Sequence, residues 1–451
     1  MAGIITALLL RLLLLLSPLL PHAVREQLSA SHRRPPEDWR VGGGATDELH
    51  PIILVPGLGC SDLDARLTEA YRPSVARCGA MKGKGWFGVW DNASDLVAHD
   101  YVECFLEQTS LVYDPIAGDY QNLPGVETRV LHFGSASGFH DKNPYHRRRC
   151  FDDAREALER IGYRDGDTLF GAPYDFRYAP PSPGQPSQAY SGYFEQLARL
   201  VETASERSNG KKVILFGHSL GGMVALEFVR GTAMAWRERH IKHLVLAAPT
   251  LATGLVQQVK ALVSGPSEMI YVPGHAGAAA VRAWWRSFEA AVVNLPSPEV
   301  FGRGEPLVVT ARRNYSAREG DMEELLAAVG FAGGVEPFRA RAVPRMRRCF
   351  EAPMVPMTCV NGVGVRTPRQ LVYREGGVYD GASPEVVYGD GDGFVNSIAM
   401  QAFDEAMQQQ PGQIWRFKSV KVPNAQHSSL IMDEWSLKQV IHEIIEANRV
   451  T

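Results

Sequence analysis

Residues 214–222 read ILFGHSLGG. An apolar run enters a serine that has one glycine two positions before it and another two after. That is the G-x-S-x-G pattern of a nucleophile elbow. The spacing has a physical reason. A serine at the tip of a sharp strand-to-helix turn exposes its hydroxyl, and the crowded backbone there leaves no room for a Cβ at Gly217 or Gly221. The pattern alone also fits an ordinary turn, because glycine and serine are common. Here "GGMVALEFVRGTAMAW" (221–236) continues as a small-and-apolar helix. Its N-terminus favours negative charge developing at the serine. Strand before and helix after make Ser219 the candidate nucleophile.

Other short apolar runs surround this one: "PIILVPGLG" (51–59), "DTLFGAPYD" (167–175) and "IKHLVLAAP" (241–249). They are rich in Val, Ile and Leu and do not alternate, as in strands buried on both faces of a parallel sheet. Between them "SGYFEQLARLVETASERSNG" (191–210) places Phe194, Leu197, Leu200, Val201 and Ala204 on one helical face and stops at Asn209-Gly210. Strand alternating with helix predicts an α/β fold with a mostly parallel sheet. Two segments break the rhythm, residues 60–115 and residues 251–300. Long irregular stretches of this kind serve as lids or binding loops.

A serine hydroxyl needs a base, and the base needs an orienting carboxylate. In this chain order both follow the serine. Of thirteen histidines, His240, His243, His275, His427 and His442 lie beyond Ser219. His240 and His243 border a strand, His275 falls in the lid-like region, and His442 sits on an amphipathic C-terminal helix. His427, in "VPNAQHSSLI" (422–431), follows the last strand pattern and precedes a helix, where the base belongs; the alternative is a loop histidine satisfied by backbone. For the acid, "VVYGDGDGFVNSIAM" (386–400) places two aspartates among glycines after an apolar strand. Asp392 is the orienter and Asp390 lies two residues earlier. A glycine-rich turn is the alternative; a calcium loop needs more carboxylates at alternate positions. The oxyanion needs two backbone donors, expected from Leu220, after the nucleophile, and Leu58, in the loop after the first strand.

The composition is ordinary for a globular chain: 451 residues, 45% hydrophobic, 22% charged, formal net charge -3. It calls for no nucleic-acid partner. The basic runs Arg147–Arg149 and Arg345–Arg348 read as solvated faces, with contact to anionic headgroups as the alternative. "LLLRLLLLLSPLLPHAV" (8–24) is interrupted by Arg11 and Pro18 and reads as a signal peptide over residues 1–23, or a signal anchor if uncleaved. Either one sends the chain into the secretory pathway, to a secreted or lumenal location. Residues 24–47 read as a flexible lead-in to one domain spanning 48–451. Six cysteines in an oxidising compartment predict some pairing, and their spacing matches no zinc site. Asn92-Ala-Ser and Asn314-Tyr-Ser are glycosylation sequons. The proposed chemistry calls for no metal and no organic cofactor.

Taken in order, "IILVPGLG", "FGAPYDFRYAP", "FGHSLGG", "LPSPEVFG", "YGDGDGFVN" and "AQHSSLI" resemble the lecithin–cholesterol acyltransferase-like proteins, a family that includes lysosomal phospholipase A. The matched stretches spread over roughly residues 50–445. The resemblance implies an α/β-hydrolase core with Ser219, Asp392 and His427 as triad and the Leu58 and Leu220 amides as oxyanion hole. It implies a glycerophospholipid acyl donor, met at a membrane or lipoprotein-like surface, with a sterol-like alcohol or water as acceptor. It further implies a membrane-binding insertion at about 60–115, closed by Cys78–Cys104, and a lid or cap at about 251–345. In "KGWFGVW" (84–90), Trp86 and Phe87 are then candidates for the lipid interface or equally for the insertion's own core, whereas Trp90 is expected to be buried. Tyr174 and Asp175, at the end of a central strand, are expected near the site, either fixing loops around the acyl pocket or serving a purely structural role.

The chain departs from the family in three places. Val387 stands where a cysteine partner of Cys359 is common, which leaves Cys349 as a substitute partner and Cys60 and Cys150 as candidate free thiols. Thr250-Leu251-Ala252 stands where Trp-Gly-Gly is usual, beside the site. Phe394 replaces a threonine next to the triad. Two other readings compete: a catalytically silent lipid-binding protein on a hydrolase fold, and an esterase of neutral esters.

Overall fold

The computed structural model describes residues 49–90, 101–139, 150–251, 253–270, 272, 276–374 and 377–449. The expected signal segment and lead-in, Asn92, Arg147–Arg149, Ala252 and His275 lie outside the described residues.

Six strands form a parallel sheet: β1 (Ile52–Val55), β2 (Leu169–Gly171), β3 (Val213–His218), β4 (Ile241–Ala247), β5 (Met357–Val363) and β6 (Phe417–Pro423). Their order across the sheet is β6-β5-β4-β3-β1-β2, and every neighbouring pair is parallel. β1, β2 and β3 are buried at every residue, as their unalternating apolar sequences require when helices cover both faces. The helix Gln188–Arg207 is one such cover. The Ser187 side chain caps it by accepting from the Tyr190 N–H, and it buries Tyr190, Tyr193, Leu197, Val201 and Ala204. These recur at helical spacing, and each large apolar side chain so buried contributes roughly 1.5–3 kcal/mol. Asn209 and Gly210 follow with positive φ and stop the helix. The architecture is that of an α/β hydrolase, with β1, β3 and β4 ending side by side; Gly217 is paired with Val55 on one side and Leu246 on the other.

The segment at 60–115 is more regular than its sequence suggests. Strand Leu63–Leu67 pairs antiparallel with Trp86–Trp90 on one side and Val126–Val130 on the other, and a helix spans Val102–Thr109. The Cys78–Cys104 disulfide ties that helix to the turn Ala76–Gly79. The region from 251 onward also contains short helices, among them Val256–Ser264, Ala278–Arg286 and Glu289–Val293. The two segments share one aromatic cluster. Trp90 lies 5.6 Å from Phe105, 5.1 Å from Phe176 and 6.3 Å from Trp284, centroid to centroid, and Trp284 Nε1 donates to Thr109 Oγ1 at 2.8 Å. Trp90 is buried.

Two expectations are corrected here. Cys60 and Cys150 are joined, whereas Cys349 and Cys359 are free and buried; the substitute pair does not form. Arg345 is buried rather than solvated, within 4.0 Å of Glu227, because a buried carboxylate on the neighbouring helix provides its counter-charge. Arg347 and Arg348 pair with Glu319 and Glu351. A second, four-stranded sheet (Asn314–Ser316, Pro306–Thr310, Val365–Tyr373, Glu385–Gly391) is built beyond β5. Its last strand delivers Asp392 to the C-terminal end of the main sheet, beside β5: a Cβ on Gly362 would lie 3.0 Å from that of Asp392.

Candidate active site

β3 ends at Ser219, which has φ 55° and ψ −125° and leads into the helix Leu220–Gly231. A residue with a Cβ pays about 1–3 kcal/mol for such a conformation, and the surroundings hold it there. Ser219 N–H donates to the Ala247 carbonyl at 3.0 Å, and the Ser219 carbonyl accepts from Gly222 and Thr250 at 3.0 and 3.1 Å. The two glycines serve close approach. A Cβ on Gly221 would overlap the carbonyl oxygens of Val55 and Pro56, and one on Gly217 would sit 2.7 Å from the Gly221 carbonyl oxygen.

The structure brings Ser219, His427 and Asp392 together. His427 Nε2 lies 2.8 Å from Ser219 Oγ, and His427 Nδ1 lies 2.8 Å from Asp392 Oδ2. Asp392 Oδ1 already accepts from the Phe394 and Val395 N–H groups at 2.9 and 2.7 Å, and the His427 N–H donates to the Asp392 carbonyl at 2.8 Å. A carboxylate that only accepts requires the imidazole proton on Nδ1. Nε2 is then the acceptor for the serine hydroxyl, which is the geometry for removing its proton. Asp392 is 1% exposed and Ser219 and His427 each 8%, so the relay lies under a thin cover.

Asp390 has a different task. It accepts from Gly364 N–H at 2.6 Å and Ser397 Oγ at 2.5 Å. Burial works to raise its pKa, yet these bonds outweigh burial and hold the carboxyl below its ordinary range. It staples the loop that carries Asp392.

Leu58 and Leu220 flank the serine. A Cβ on Gly57 would lie 3.2 Å from that of Ser219, so the loop after β1 presses against the nucleophile. Among the described residues neither the Leu58 nor the Leu220 amide donates to a backbone carbonyl of the surrounding turns. The loop is braced from three sides: Tyr174 Oη donates to the Pro56 carbonyl at 2.9 Å, Trp90 Nε1 donates to the Gly59 carbonyl at 2.9 Å, and Cys60 is bonded to Cys150. Asp175 instead holds the buried Arg177, whose Nη1 donates to the Thr109 carbonyl at 3.0 Å. "YDFR" thus ties the β1 loop on one side and the disulfide-closed segment on the other.

Sequence reasoning missed His218. It is buried beside His427 with 5.1 Å between ring centroids, and burial pushes its pKa down to about 3. Its place inside the elbow motif was the available clue. Elsewhere, His243 is buried against Thr358 Oγ1 at 2.8 Å and pushed down to about 4 by burial, His240 packs on Trp236, and His442 is exposed. Trp86 is half-buried with the Arg66 and Arg129 guanidinium groups 5.1 and 4.6 Å from its ring centroid. Phe87 is half-buried against Leu67, Tyr71 and Val126. Asn314 is exposed on a strand. Among the described residues no cluster of His, Cys, Asp or Glu could hold a metal ion, and no helix is long and apolar enough to cross a membrane.

The lecithin:cholesterol acyltransferase family is matched over residues 86–308. Lecithin-cholesterol acyltransferase-like 1 of Oryza sativa subsp. japonica is 43% identical over 413 residues, 91% of this chain and 90% of its own length. Lysosomal phospholipase A and acyltransferase of Rattus norvegicus is 27% identical over 88% of this chain and 90% of its own. Among solved structures, a chain of the Tle4-Tli4 complex is 14% identical, with a TM-score of 0.47 over 89% of this chain and 99% of that one. Identity of 43% is sustained across 91% of the sequence: the chain belongs to the lecithin:cholesterol acyltransferase family.

Proposed function

We propose that the protein is a lipid acyltransferase with phospholipase activity that works through Ser219, His427 and Asp392. The observation that carries the reading is the continuous line of contacts from Ser219 Oγ through His427 to Asp392, 2.8 Å at each step. Family membership supports acyl transfer from phospholipid as the reaction.

In the proposed cycle Ser219 Oγ attacks the ester carbonyl carbon of a glycerophospholipid, and its proton moves to His427 Nε2. The carbonyl oxygen becomes an oxyanion between the Leu58 and Leu220 amides, an interaction stronger in the tetrahedral state than in the ester. The ester C–O bond breaks, His427 returns the proton to the departing glycerol oxygen, and lysophospholipid leaves an acyl-serine. A sterol-like alcohol or water then gives its proton to His427 and attacks the acyl carbon. Ester or fatty acid leaves and Ser219 is restored. Each step uses only protein groups. Phospholipid is met at a membrane or lipoprotein-like surface, for which the disulfide-closed segment with the half-buried Trp86 is suited: an indole with an apolar body and one polar edge fits a lipid–water interface. The exposed Asn314 sequon and two disulfides fit passage through the secretory pathway.

The test is a single vesicle assay with acyl-labelled phosphatidylcholine and a sterol together, scoring sterol ester against free fatty acid. Wild-type protein is expected to release lysophospholipid and distribute the label between the two products. Ser219→Ala is expected to yield neither, and full acyl release by that variant would refute the triad.

A further inference from the structure

Among the described residues two rings neighbour the His427 imidazole. One is His218. The other is Phe394, whose centroid lies 5.2 Å away with 38° between the planes. Phe394 is held by the loop that holds the acid: its N–H donates to Asp392 Oδ1 at 2.9 Å. The ring is half-buried, so it is placed against the imidazole without being enclosed in the core.

Asp392 touches His427 Nδ1. His218 is kept neutral by burial, which pushes it to about 3, so it contributes no cation. Ser219 Oγ is neutral. When His427 takes the serine proton, a positive charge appears on a ring that already has an aromatic neighbour within the roughly 6 Å at which a cation is attracted to a π face. A neutral imidazole gains nothing comparable. The interaction is therefore stronger at the tetrahedral step than in the ground state, which is the condition for raising kcat rather than lowering KM.

We infer that Phe394 is a positioning residue that favours the imidazolium form of His427 through its ring. The inference rests on the triad proposed above. It also gives a chemical consequence to the replacement of the threonine that the family resemblance leads one to expect at this position, since a threonine offers no such face.

The experiment compares Phe394→Leu and Phe394→Trp with the wild type in the vesicle assay, with Ser219→Ala alongside. Leucine keeps an apolar side chain of similar reach and removes the π face; tryptophan keeps the face. Phe394→Leu is expected to lose about three- to tenfold in kcat, the range set by one cation–π contact, with KM little changed. The acid limb of its pH–rate profile should move to lower pH, because the proton is held less firmly. Phe394→Trp should recover both. An acid limb that moves to higher pH would show that the ring acts by excluding water from the imidazolium. Unchanged kcat in the leucine variant, or a fall in kcat without movement of the limb, would reduce Phe394 to a packing residue; each of these results overturns the inference. Thermal midpoints establish that the variants are folded, and Phe394→Met is the substitute if leucine does not fold. Full activity of Ser219→Ala would instead sink the triad reading, so the two failures are told apart.

Discussion

Nε2 of His218 lies 3.2 Å from the carbonyl oxygen of His427, so the residue before the nucleophile holds the backbone of the residue that meets it. Burial pushes His218 down to about 3, so the ring is neutral and carries one N–H. Nδ1 has no partner among the described residues, which puts that proton on Nε2, donating to His427. His218→Leu fills the space and strands a buried carbonyl, an omission worth about 1–3 kcal/mol. We expect a lower thermal midpoint and roughly tenfold lower kcat as the imidazole loses its seat. A leucine variant matching the wild type in both would show that the contact positions nothing.

Asp392→Asn separates orientation from fold. Asparagine keeps an oxygen for the Phe394 and Val395 N–H groups, so the loop should survive. Its amide, however, can turn an N–H toward Nδ1, which stabilises the tautomer with the proton on Nε2 and removes the acceptor from Ser219 Oγ. In serine hydrolases with this geometry that change costs about 10⁴ in kcat. Vesicle turnover reduced by less than about tenfold, with an unchanged thermal midpoint, would show that Asp392 does not set the tautomer.

What the sequence made legible, and what it hid, follows from how local each cause is. The serine, histidine and aspartate sit where strands end, and each is marked by close neighbours: glycines around Ser219 and Asp392, a strand before His427. The Cys60–Cys150 pairing joins positions separated by 90 residues, and nothing local specifies it. The apolar run before Asp392 reads as an apolar strand, and Val387 and Tyr388 are each 43% exposed, because hydrophobicity alone does not distinguish a core strand from one in a small open sheet. The region after 251 reads as irregular because its helices are too short to show a helical period; Trp284 and Trp285 are nonetheless buried. Arg345 lies in a basic run, and only the fold supplies the Glu227 that draws it inside.

Among the described residues Arg341 is a buried guanidinium between two buried carboxylates, Glu289 and, at 3.8 Å, Asp119. Arg341 Nε donates to Glu289 Oε1 at 2.6 Å with both side chains 1% exposed, and Glu289 Oε2 accepts from Ala179 N–H at 3.0 Å, just beyond "YDFR". Burial pushes the Glu289 pKa up even with the Arg341 guanidinium beside it, so desolvation is the larger effect. Removing one partner leaves a charge without its mate: Arg341→Met is expected to cost about 3–5 kcal/mol in denaturant unfolding. The double variant Arg341→Met, Glu289→Leu also removes the nearer carboxylate and should recover part of that loss, the remainder reflecting Asp119, which still lacks its guanidinium. If the double variant is as unstable as the single one, packing around Arg341 and not its charge is what holds the region.

Stability should fall in mild acid, and two histidines set the window. Burial lowers His218 and His243 from 6.5 to about 3 and about 4, and it lowers the partly covered His50 and His240 in the same direction. Below pH 6.5 the unfolded chain takes up protons that the folded chain refuses. Folding free energy therefore declines as pH drops from about 6.5 toward 4, by at most about 1.4 kcal/mol per unit for each fully buried histidine. His243 permits a clean test, because it bonds Thr358 Oγ1 on β5 and takes no part in the Ser219 relay. His243→Gln keeps a polar partner for that hydroxyl and cannot titrate. Thermal midpoints at pH 7, 6 and 5 should fall less steeply for this variant than for the wild type. Equal slopes would mean that His243 takes up its proton equally in the folded and unfolded chain, and would place the acid sensitivity in His218 or in carboxylates.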